Sequence, residues 1–175
     1  MEYDLHAVLW CGDIDKNQSL VEEIEFLALN GNWPSHWHTE AIEVWADIAH
    51  AECREFFDYC AERRGLFATG DSGITSMLKN ILRDFSVAQC YRVIWNGARS
   101  TADFMVRERP NRSHAANYMI GACQRWADQA RTENWNVFPF RRNFDLRRTM
   151  VSFVLFDVVL KIGECGFTEV IHLPK

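Results

Sequence analysis

The chain predicts an all-α fold, a single-domain helical bundle of about five to six helices, and three observations lead there. Between about residues 35 and 64, apolar and polar residues form two complementary stripes at steps of three and four. Downstream, helix caps and stops recur at Ser86-Val-Ala-Gln89, Pro110-Asn111 and Ser113. No repeat, low-complexity run or linker interrupts the 175 residues, so one domain spanning 1–175 accounts for them.

Residues 1–12 fit a short N-terminal strand or a first helical turn equally. Ser19-Leu-Val-Glu22 is a capping box, in which hydroxyl and carboxylate each satisfy a free amide. It opens a short helix that Asn30-Gly31 ends. The 35–64 helix follows Trp33-Pro34 and stops at Gly65. Its apolar side is Ala41, Ile42, Trp45, Ile48, Ala49, Cys53, Phe56 and Cys60; its polar side is His36, Glu40, Glu43, Asp47, His50, Arg54, Asp58 and Glu62.

A glycine-rich loop at 65–73 precedes a helix from about Ile74 to Asp84. Ser86 and Gln89 form a second capping box and open a helix toward Arg107, with Tyr91, Ile94, Trp95, Ala98, Ala102 and Met105 inward. Ser113 is expected to cap the next helix, to about Glu133, which turns Ala116, Met119, Ile120, Cys123, Trp126 and Ala130 inward. Residues 134–144 are an aromatic and basic connection. The Val-rich run Leu146–Ile162 is apolar nearly all round, and its length and an Asp145 cap favour a buried central helix over a strand.

Six cysteines stand singly, with no C-x-x-C. They read as reduced thiols of an intracellular, cytoplasmic chain that needs no disulfide. No signal peptide is visible, and the longest apolar stretch is too short and too polar to span a bilayer, so no membrane association is expected.

Charge is distributed unevenly. Between Glu2 and Glu62, within an acidic part spanning 1–64, fourteen carboxylates face two cations. The arginine-rich part at 92–148 carries eleven arginines against five carboxylates. Opposed blocks of this kind concern partners and association rates, not fold.

No catalytic residue is nominated and no cofactor is expected. G-x-S-x-G, P-loop, Rossmann glycine and kinase patterns are all absent. Asp47-x-x-His50 places a carboxylate and an imidazole on adjacent turns, but a di-metal bundle needs a second such element, and none exists. His50-Ala51-Glu52 has the local spacing of a zinc-deaminase site, yet the downstream Pro-Cys-x-x-Cys is missing.

Function is therefore expected to lie in surfaces. The first expectation is a non-enzymatic protein-interaction module. The acidic face carrying Glu40, Glu43, Asp47, Asp58 and Glu62 would occupy a partner protein's basic, nucleic-acid-binding groove, as a small inhibitor does. The alternative is nucleic-acid binding through an arginine and aromatic surface at 107–148, carried by Arg107, Arg109, Arg112, Arg141, Arg142, Arg147 and Arg148. A second alternative is a metal-dependent enzyme using Asp47, His50 and nearby carboxylates. Homo-oligomerisation is left open.

Overall fold

A computed structural model describes residues 37–66 and 71–171, with Phe26 and Asn30 as isolated positions. The expectations for residues 1–12 and for the helix opened by Ser19 lie outside the described residues. The chain divides between Trp37 and His38, and the unit beginning at His38 is described below.

Every element among the described residues is helical, as the sequence predicts. They are α1 (Trp37–Glu62), α2 (Asp71–Ile81), α3 (Val87–Glu108), α4 (Arg112–Thr132), α5 (Met150–Phe153) and α6 (Cys165–Thr168). A π-helical segment, Val154–Val159, continues α5. No described helix is long and apolar enough to cross a membrane.

The striped helix is α1. It ends in a Schellman motif: Gly65 takes φ +64°, its N–H donates to the Glu62 carbonyl, and the Leu66 N–H reaches back to Ala61 at 3.0 Å. Leu66 and Ala61 are both buried, as that motif's apolar contact requires. α3 opens with the expected capping box; the Ser86 hydroxyl accepts from the Gln89 N–H and the Gln89 side chain accepts from the Ser86 N–H.

α3 and α4 form an antiparallel hairpin around Pro110 and pack as the largest helix pair. Their closest approach is at Gly97, where an added Cβ would lie 2.3 Å from Cys123 Sγ and 2.9 Å from the Cys123 backbone nitrogen. The main core gathers Phe57, Leu78, Ile81, Val93, Ile94, Met119 and Cys123 from α1–α4, with Phe167 of α6 closing one end. A smaller cluster joins Ala41 and Ile48 of α1 to Leu155 and Phe156.

Three expectations are corrected. Asn111, not Ser113, caps α4: its Oδ1 accepts from the His114 N–H at 2.8 Å, so the helix starts directly after Pro110. The run 146–162 is not a central buried helix. It is one α-turn capped by Thr149 instead of Asp145, then a π-segment, with Met150, Val151, Phe153 and Val154 exposed and only Ser152, Leu155 and Phe156 buried. The physical reason is that α1–α4 already fill the core, which leaves this segment a peripheral place over the Trp45–Ile48 side of α1. Trp95, expected inward, is exposed on α3.

Candidate functional site

The site grows from the way α3 holds the chain that follows α4. Three side-chain or backbone bonds run between them: Gln89 Nε2 donates to the Val137 carbonyl, Arg92 Nε to the Phe138 carbonyl, and the Phe140 N–H to the Ala88 carbonyl. Residues 135–143 are thereby laid along the N-terminal half of α3 with no regular structure of their own. Gln89 and Arg92 lie one turn apart on α3, which explains why a helix face can bind a strand-like segment.

This arrangement leaves two adjoining cavities. The first, about 550 Å³, lies between the C-terminal end of α1 (Phe56, Tyr59, Cys60, Arg63, Arg64), Trp95 of α3, and Phe140, Arg141 and Asn143 of the connection. The second, about 380 Å³, is lined by Arg92 and Asn96 of α3, Trp126 of α4, and Trp135, Asn136, Val137 and Phe138. Trp95 faces one cavity and Asn96 the other, so the two meet across a single residue step of α3.

Arginine and aromatic groups alternate along this groove. The Arg92 guanidinium stacks 4.1 Å from the Phe140 ring centre, and Phe140 itself lies 6.0 Å from Trp95. Arg99 approaches Trp95 from the next turn at 5.9 Å, and Arg63 lies over Tyr59 at 5.3 Å. Arg64 donates to the Cys60 carbonyl and so caps the negative end of α1. Arg63 bonds the Tyr59 hydroxyl and reaches Asp145 at 3.3 Å. Arg141 is exposed and makes no hydrogen bond or ion pair with any described residue.

No carboxylate or imidazole lines either cavity. Burial pushes the Cys60 thiol up to about 11, against the opposing pull of Arg64 and Arg63, so it is protonated near neutrality and a poor nucleophile.

The arginines named from sequence separate into four placements. Arg107, Arg109 and Arg112 lie at the α3–α4 turn, about 16 Å along α3 from Arg92–Asn96 at 1.5 Å per residue, and are not part of the groove. Arg107 pairs with its neighbour Glu108. Arg142 and Arg148 turn inward: Arg142 Nη1 binds Glu52 at 2.9 Å and covers Phe167, while Arg148 binds Asp157 and the Ser152 carbonyl. Both also reach Glu164. Arg147 is exposed. Only Arg141 of the seven enters the groove, beside Arg63, Arg64 and Arg92, which lie outside the sequence-expected set.

On the acidic face, Glu40, Glu43 and Asp47 are exposed and form no ion pair with a described residue, whereas Asp58 pairs with Arg54 at 2.8 Å and Glu62 is exposed at the helix end. Arg54 also binds Asp71. His50 is half-buried against α2 with no partner for Nε2, and its pKa is lowered by burial and by Lys79 and Arg54. Among the described residues no three His, Cys, Asp or Glu side chains converge on a point where a metal could sit, so Asp47 and His50 find no third ligand there.

One missed residue is Glu52, buried and tied to Arg142. Its signal was present: a lone carboxylate in line with Ile48, Ala49, Cys53 and Phe56 on the apolar stripe. No protein-family model matches the chain, and neither the curated proteins nor the solved structures yield a match.

Proposed function

We propose that this protein is a binding module for single-stranded nucleic acid, taken up in the arginine and aromatic groove between α3, the end of α1 and the 135–143 connection. One observation carries this reading: two adjoining cavities lined by four arginines and seven aromatic rings, with no carboxylate on either lining. Exposed rings accept the faces of unpaired bases, and arginines hold the phosphates between them. A duplex has no unstacked bases to offer such rings, which favours single strands. The lack of an acid–base pair in the groove supports binding over catalysis.

The test is titration of a short labelled single-stranded oligonucleotide at low salt. Wild type should bind, and Arg141→Glu should weaken binding by about tenfold or more, because it reverses a charge that nothing described neutralises. Unchanged affinity in that variant would remove the proposal.

A second reading keeps the acidic face as the working surface, with a basic protein as partner. It is favoured by Glu40, Glu43 and Asp47, which stand exposed along α1 unpaired with any described residue.

A further inference from the structure

The two cavities of the groove differ in chemistry. The first holds Arg141, which no described residue pairs, beside Arg63 and Arg64, which also bind Asp145 and the Cys60 carbonyl. The second holds a single arginine, Arg92, donating to the Phe138 carbonyl and stacked on Phe140. In place of cations, the second offers exposed ring faces at Trp135 and Phe138, with Trp126 set edge-on to Trp135 at 5.5 Å and 68°. Two amides, Asn96 and Asn136, flank these rings, and neither hydrogen-bonds a described residue. Glu133 at the rim holds the Trp135 indole N–H at 2.7 Å, which fixes that ring instead of entering the cavity.

Resting on the nucleic-acid reading, we infer that the tryptophan-lined cavity is a base-reading subsite that selects adenine, while the neighbouring three-arginine cavity takes the adjacent phosphate. A carboxamide presents one acceptor oxygen and an NH2 donor side by side. Adenine answers with its N6 amino donor and N7 acceptor, which is the pairing asparagine makes with that base. Guanine presents two acceptors, O6 and N7, on the same edge and leaves the amide oxygen facing an acceptor. Pyrimidines give the indole a smaller face to stack on. The cavity's volume, about 380 Å³, lies within the range that small aromatic ligands occupy. The single-residue step from Asn96 to Trp95 places the phosphate-binding arginines next door, as one nucleotide's base and phosphate require.

The experiment compares short labelled deoxyadenylate, deoxyguanylate, deoxycytidylate and thymidylate homo-oligomers by fluorescence anisotropy, on wild type and on Asn96→Ala and Asn136→Ala. Wild type should prefer deoxyadenylate by about tenfold. Each variant should shrink that preference toward one, weakening deoxyadenylate more than deoxycytidylate, and melt at the wild-type temperature. Equal binding of all four oligomers, or a preference that survives both substitutions, overturns adenine selection and leaves the nucleic-acid reading standing. If none of them binds, or if polyglutamate displaces them at matched charge, both fall together.

Discussion

The Glu52–Arg142 pair shows most directly what single residues do here. Glu52 lies on the apolar side of α1, and its carboxylate is almost wholly withdrawn from solvent. Arg142 meets it with one nitrogen, stacks on Phe167 and reaches Glu164 with another. Because Arg142 stands between Arg141 and Asn143, which both line the first cavity, this pair ties the groove wall to α1, together with the bonds from Tyr59 and Arg63 to Asp145. Glu52→Ala still leaves Arg142 with Glu164, whereas removing Arg142 leaves Glu52 buried and uncompensated. Arg142→Ala should therefore be the costlier change, about 3 kcal/mol in urea denaturation, against less for Glu52→Ala. The double variant with Arg142→Ala should cost less than the two single variants together; strict additivity would mean the charges do not act as a pair. The sequence displayed Glu52 as an anomaly on a hydrophobic stripe, but not the arginine ninety positions away that answers it. Likewise Arg142 and Arg148 looked equivalent to Arg141 in a string of basic residues, and only tertiary contact separates the two that point inward from the one that does not.

At the scale of elements, local signals read well wherever backbone chemistry sets the boundary. Gly65 ends α1 through a left-handed turn, and the Ser86 box opens α3, because caps depend on a few adjacent residues. The 150–159 segment departs from the sequence expectation because its burial depends on how much core remains after α1–α4 have packed. An apolar run carries no record of that. The α1–α2 contact makes a prediction about pH. His50 packs against Thr75 and Lys79 of α2, and its pKa is lowered by burial, then by Lys79 and Arg54, with Asp47 opposing. The folded chain therefore binds fewer protons here than the unfolded chain, whose imidazole titrates near 6.5. Stability is full above that value and declines as pH falls toward the lowered pKa, because protonation now favours the unfolded state. The stability difference between wild type and His50→Gln should shift against wild type between neutral and mildly acid pH. A difference that stays flat through this window would show that His50 is no less protonated in the fold than in the open chain.

For the whole molecule, the question set by the sequence is whether the acidic and basic blocks neutralise each other. Among the described residues they do so only where Arg142 meets Glu52. Arg63–Asp145 pairs the other way round, a cation of the acidic part with a carboxylate of the basic part, and Arg131 and Arg148 satisfy carboxylates outside the acidic helix. Glu40, Glu43 and Asp47 at one end of α1 and the arginines near its other end remain two separate fields. With a formal charge of −5, the molecule repels a polyanion at a distance and attracts it only within the groove. Single-strand binding should accordingly be moderate and only modestly salt-dependent. Three phosphate contacts predict a slope of log K against log salt near about −2, from roughly −0.7 per phosphate. The triple reversal Glu40→Lys, Glu43→Lys, Asp47→Lys separates the two functional readings. If the groove binds nucleic acid, removing this repulsive field should raise the association rate several-fold at low salt, and the gain should vanish at high salt, where the Debye length shrinks to about 3 Å at 1 M. If the acidic face itself docks into a basic partner, the same reversal should abolish that complex, because the attraction that steers the encounter becomes repulsion. Stopped-flow association with a labelled oligonucleotide across a salt series decides the first case, and a rate that ignores all three reversals would show that the two fields do not act on the same ligand.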